Sequence, residues 1–176
     1  MAKWFETSTW RNLIDMHIPD WNENFLSKFD PKEYVDALAD AGVDNAILYT
    51  GNCLGMCFWP TKAGHMHKGL KGRNINIETF KLAREKGMKV VMYYNIWNRW
   101  AYDVHPDWRM VTMDGLTTME NKDHVRVSRF GQVCINNQEY RDFVKAQITD
   151  IAQSFDADGL WIDMIGYFGT VCCCPA

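Results

Sequence analysis

The chain has 176 residues, with 47% hydrophobic and 23% charged residues, enough apolar material for one sizeable core and an ordinary single globular domain. A formal charge of −3 supplies no basic field, which argues against nucleic acid or an anionic membrane surface as a partner. The first residues, Met1-Ala2-Lys3-Trp4-Phe5-Glu6, lack the apolar core of a signal peptide, and no apolar run approaches a membrane span. The expectation is a cytoplasmic protein whose six cysteines stay reduced.

Residues 12–18, Asn-Leu-Ile-Asp-Met-His-Ile, predict a first strand. Asp30-Pro31-Lys32-Glu33 predicts a helix start, with Asp as the N-cap, Pro at the first helical position and Glu three residues after the cap. Tyr34, Leu38 and Ala41 keep a helical stripe that Gly42 closes. Residues 45–50 form an apolar run of strand length, followed by a loop of about two dozen residues rich in Gly, Cys, His and Lys; loops this long usually carry function or are disordered. A second helix is expected over 76–86, with Ile77, Phe80 and Ala83 buried and Gly87 as its stop, and a third strand over 89–94. A Trp-rich loop then leads to Asn137, the cap of a third helix with Tyr140, Val144, Ile148, Ile151 and Phe155 on one face, and residues 159–165 read as a fourth strand.

Four strands alternating with three helices predict a parallel sheet with right-handed crossovers. An open doubly wound sheet would want a glycine-rich phosphate loop after the first strand, where Met16-His17-Ile18-Pro19-Asp20 stands instead. Strand ends bearing His, Asn, Tyr and Asp fit the working face of a barrel better. Asp163, a carboxylate at the C-terminal tip of an apolar run, occupies the position where such sheets mount a catalytic acid, base or nucleophile.

Asp30-Pro31-Lys32-Glu33-Tyr34, the helix ending Ala41-Gly42, Phe58-Trp59-Pro60-Thr61 and Gly159-Leu160-Trp161-Ile162-Asp163, in this order, resemble the motifs of the alpha-L-fucosidase-like glycoside hydrolases. They are more similar still to the relatives grouped as hypothetical glycosyl hydrolase family 6. The resemblance spans nearly the whole chain but only the first half of that family's catalytic domain. It implies an α/β fold, the N-terminal half of a TIM (β/α)8 barrel with four parallel strands and three crossover helices, and residues 1–176 as a single partial catalytic domain truncated at its C-terminus. It also implies Asp163 as the nucleophile of a retaining glycosidase. Where the fucosidases carry a fucose-binding His-His pair, this chain has Asn52 and Cys53, so the implied activity is general glycoside hydrolysis without fucose specificity. Cys172-Cys173-Cys174-Pro175-Ala176 resembles a Cys-x-Cys-x-x-Cys element whose last cysteine would fall just past Ala176.

A retaining glycosidase needs a second carboxyl about 5–5.5 Å from the nucleophile. No residue declares itself for that role; Asp15 and Asp20 are the substitutes near the first strand. The candidate substrate contacts are His17, Tyr94 and Asn95 for sugar hydroxyls, Trp59 and Trp97 for stacking, and Asn52 and Cys53 at the replaced His-His positions. Each has a packing role as its alternative. No cofactor is expected. No metal is expected either, since His65-x-His67 with Cys57 lacks paired zinc spacing and the adjacent Cys173 and Cys174 cannot both face one ion. The expected partners are a carbohydrate substrate and, because half a barrel leaves two strand edges open, a second copy of the chain or a complementary C-terminal half. Alone, the half barrel is expected to be weakly active or inactive; the rival reading is a non-catalytic carbohydrate-binding or assembly module.

Overall fold

A computed structural model describes residues 3–121, 130–166 and 171–176. Four parallel strands, β1 (Arg11–Leu13), β2 (Asn45–Tyr49), β3 (Lys89–Asn95) and β4 (Gly159–Asp163), form one sheet in the order β1-β2-β3-β4. Helices α1 (Pro31–Asp40), α2 (Ile75–Glu85) and α3 (Gln138–Ser154) make the three crossovers. This is the expected half of a barrel. Its helices start where capping chemistry dictates: Asp30 accepts the amides of Lys32 and Glu33, Asn74 that of Ile77, and Asn137 that of Tyr140. Each such cap contributes about 1 kcal/mol.

The period-two alternation of the strands sorts their side chains onto two faces. Ala46, Leu48, Val90, Met92 and Tyr94 point to the helices and pack with Val35, Leu38, Phe80, Ala83, Ile151 and Phe155. Ile47, Tyr49, Val91 and Tyr93 point to the barrel interior, where Leu26, Phe58, Leu70 and Ile75 cover them. In α1 the fully buried residues are Val35 and Leu38 rather than the whole Tyr34–Leu38–Ala41 stripe.

Two strands are shorter than expected by two residues or more. β1 stops at Leu13, and the chain beyond it is drawn over the strand ends by the Asn52 side-chain amide, which donates to the carbonyls of Met16 and Ile18. β4 stops at Asp163, because Met164 takes a left-handed φ of 59° and turns the chain away. The two long loops carry structure of their own: Met56–Cys57 pairs in parallel with His65–Met66, and Arg99–Val104 is a short helix. No helix among the described residues is long and apolar enough to cross a membrane.

Asp158, just before β4, fastens the sheet to α2. Its largely buried carboxylate accepts the Val90 amide at 2.9 Å and Lys89 Nζ at 3.0 Å, and Arg84 Nη1 lies 2.6 Å away. Burial alone would raise its pKa, but these donors outweigh it and hold the carboxyl below its ordinary value. Asp158→Ala should cost about 1.5–3 kcal/mol, the range for hydrogen bonds to a charged group. Because the folded pKa is depressed, the contribution is complete above the unfolded value near 3.9 and fades as pH falls through the folded one. Urea midpoints of wild type and variant should therefore differ at neutral pH and converge in acid; equal midpoints at pH 7 would remove Asp158 from this role.

Candidate active site

The interior face ends, at the C-terminal edge of the sheet, in a cluster of polar and aromatic side chains. Register sets it up: Tyr49 lies opposite Tyr93, and Asn95 opposite Asp163. The Tyr93 hydroxyl donates to Asp163 Oδ2 at 2.7 Å, and the Met164 amide donates to Asp163 Oδ1 at 2.8 Å. Asn95 Nδ2 donates in turn to Tyr93 Oη at 2.9 Å, and Asn95 Oδ1 accepts the Trp97 amide. Both oxygens of the half-buried Asp163 are thus held, one by a side chain and one by its own following turn. A non-glycine residue at positive φ, such as Met164, is uncommon, and such positions cluster at functional sites.

The cluster continues across the stacked rings of Tyr93 and Tyr49, whose centroids are 3.8 Å apart. Tyr49 donates to Asp15 Oδ1 at 2.5 Å, the same oxygen lies 3.0 Å from His17 Nε2, and His17 Nδ1 lies 3.2 Å from Cys53 Sγ. Phe130 stands edge-on to His17 and also beside the Trp97 ring. Burial pushes the Tyr49 phenol far above its ordinary value, with its bond to Asp15 adding to the shift. Burial does the same to Tyr93, reinforced by Asp163. Both hydroxyls therefore remain protonated donors across the physiological range.

The loops behind this mouth are tied to one another. Asn52 uses its whole side chain internally: Nδ2 donates to Met16 and Ile18, and Oδ1 accepts the amides of Leu54 and Met56. The carbonyls of Cys53 and Leu54 accept the amides of Arg99 and Trp100. Gly55, at φ +83°, lets the two loops close, since a Cβ there would meet Asn98 Oδ1 at 2.2 Å.

The predicted site residues fall into three groups. Asp163 and His17 stand at the mouth with surface exposed. Cys53, Asn95 and Trp97 line it from behind, nearly or fully buried. Asn52, Tyr94 and Trp59 are placed elsewhere. Asn52 is a buried loop fastener with no group left for a sugar. Tyr94 faces the helices, where its hydroxyl donates to Gln147 Oε1 at 2.7 Å and burial raises its pKa well above the ordinary value. Trp59, 1% exposed, belongs to the core between sheet and helices. Strand parity accounts for Tyr94: adjacent residues face opposite sides, so a tip that presents Asn95 to the interior presents Tyr93 with it and not Tyr94. That parity was the signal by which Tyr93, and with it Tyr49, could have been found. Of the two alternative carboxyls, Asp15 is at the mouth, whereas Asp20 is held by His65 Nε2 at 2.7 Å. His67 has both ring nitrogens engaged, by the Pro19 carbonyl and the Gly69 amide, so His65-x-His67 is not arranged as a ligand pair.

Parallel strands, helical crossovers and a positioned carboxylate at the tip of the fourth strand make half of a (β/α)8 barrel, with the carboxylate on the face where such barrels carry their sites. The chain belongs to the family described as hypothetical glycosyl hydrolase 6, which it matches over residues 30–164. Among solved structures it is similar to alpha-L-fucosidase isoenzyme 2 from Paenibacillus thiaminolyticus, with 21% identity and a TM-score of 0.68 over 91% of this chain and 23% of that one. It is also similar to the Thermotoga maritima alpha-fucosidase, with 25% identity and a TM-score of 0.55 over 78% of this chain and 29% of that one. An alpha-L-fucosidase from Bacteroides thetaiotaomicron shows 20% identity and a TM-score of 0.55 over 81% and 28% of the two chains. This chain thus spans about a quarter of the length of those enzymes. No curated protein matches it in sequence.

Proposed function

We propose that this chain supplies the nucleophile half of a retaining O-glycosyl hydrolase. The observation that carries this reading is the double anchoring of Asp163, by Tyr93 Oη and the Met164 amide, at the interior tip of β4. In the reaction, an Asp163 oxygen attacks the anomeric carbon, the glycosidic C–O bond breaks, and the leaving oxygen takes a proton from a general acid. Water then attacks the same carbon, giving its proton to the same group as base, and the carboxylate is released. Tyr93 and the Met164 amide aim the carboxylate without neutralising it, and His17, held by Asp15, is placed for a sugar hydroxyl. Asn52 and Cys53, at the positions of the fucosidase His pair, offer no imidazole and are both buried, which supports a sugar other than fucose as substrate.

The second carboxyl is assigned to polypeptide covering the open edge of β4, with residues 1–176 acting as the first four β/α units. Leu160, Trp161 and Ile165 are 37%, 46% and 62% exposed along and just beyond that strand, and Ile96, Ile135, Tyr140, Val144 and Ile162 line an apolar hollow beside it. A complementary C-terminal half or a second copy would bury both features.

Activated 2-deoxy-2-fluoroglycosyl fluorides test the nucleophile alone, since fluoride departs without a general acid. Peptide mass spectrometry should find the added sugar on Asp163. Label on another residue would overturn the assignment. Carbohydrate binding with no label across a panel of sugars would favour the non-catalytic binding module.

A further inference from the structure

We propose that Cys134, Cys172 and Cys174 bind a zinc ion that fastens the segment after β4 to the excursion between β3 and α3. One sulfur from each of the three residues lies within 4.8 Å of the other two, and all three are free thiols. Tetrahedral zinc–thiolate bonds of about 2.3 Å place sulfurs roughly 3.8 Å apart, so closing the three onto one ion requires contraction of no more than about 1 Å per pair.

The backbone explains why these three converge. Residues 109–111 run on from the single 3-10 turn that ends at Trp108, and both cysteine-bearing segments are hydrogen-bonded to the stretch from Trp108 to Val111. The Cys134 amide donates to the Trp108 carbonyl and the Met110 amide to the Gln132 carbonyl, while the Cys173 amide donates to the Val111 carbonyl. Cys172 and Cys174, half-buried, turn together towards Cys134, while Cys173 between them is exposed to solvent. The adjacency of cysteines that argued against a metal therefore removes only Cys173 from the ligand set. Three soft ligands without carboxylate or imidazole select zinc over the hard divalent ions. The fourth corner is left to water or an external donor, as in zinc sites with three protein ligands. This site is separate from the Asp163 cluster and does not depend on the reading of that cluster.

The test uses the whole chain purified under reducing conditions with zinc and without chelating tags. Elemental analysis should give one zinc per chain, and cobalt substitution should produce the thiolate charge-transfer and tetrahedral d–d bands. Cys174→Ser, at a half-exposed position where folding is not at risk, should lower zinc affinity at least about 100-fold, since even outer-shell partners of a metal are worth 10–100-fold. Cys172→Ser should behave alike, and Cys173→Ser should keep full occupancy. Added zinc should raise the thermal midpoint of wild type and of Cys173→Ser but not of Cys174→Ser. A metal-free wild-type chain, a brown iron-containing chain, a disulfide among the three cysteines in place of metal, or zinc retained equally by Cys174→Ser would each overturn the proposal.

Discussion

Asp163→Asn should reduce any hydrolysis of nitrophenyl glycosides to the uncatalysed background. An amide cannot form the glycosyl ester, and removing the nucleophile from a working constellation costs on the order of 10⁴-fold or more in kcat. Nitrophenyl substrates are the ones to use, because a site without its general acid loses roughly 10²–10⁴ in rate and a good leaving group needs that proton least. The substitution is mild structurally: an asparagine oxygen still accepts from Tyr93 or from the Met164 amide, so the thermal midpoint should stay near that of wild type. The comparison is best made both on the isolated chain and with the barrel completed, since completion should raise wild-type activity and leave the variant at background. Full activity in Asp163→Asn would show that another group attacks the anomeric carbon.

Trp59→Ala should destabilise the fold by about 3–5 kcal/mol, the usual cost of emptying a buried aromatic site. That is a large part of the 5–15 kcal/mol by which a domain is ordinarily stable. Trp59 is 1% exposed and packs edge-on against Phe155, whose ring also meets Phe80, so its removal opens a hole where the sheet meets the middle of α2 and the end of α3. Trp59→Phe keeps most of the contact and should recover much of the loss. Denaturant midpoints decide the matter. A Trp59→Ala protein as stable as wild type but weakened in sugar binding would return this ring to the stacking role that its type and loop position suggest.

The contrast between Trp59 and Asp163 shows what kind of information the chain carries locally. Asp30 and Asn137 each cap a helix through their own side chain and the amides two or three residues on, so those two helix starts were legible from a few neighbouring residues, whereas the cap that Asn74 supplies to the helix starting at Ile75, one residue ahead of the expected start, was not read. The strands were legible as apolar runs between such signals, and Asp163 could be placed at a strand tip because it closes one of them. Tyr94 was misplaced by a single residue, since a short, wholly apolar strand hides which of its two faces looks inward; only pairing with β2 and β4 decides that.

The order of the elements, the parallel sheet and the position of Asp163 at its edge were thus determined by the sequence itself, because caps, periodicity and turns act over a few residues. What surrounds Asp163 was decided by tertiary structure. The stacking of Tyr49 on Tyr93, the bond from Tyr49 to Asp15, the use of Asn52 to bind one loop to another and, away from that cluster, the meeting of Cys134 with Cys172 and Cys174 all join residues far apart in the chain. Such contacts exist only once helices have packed on the sheet and brought the loops to one end, and no local pattern of residue types encodes which distant partner each side chain will meet.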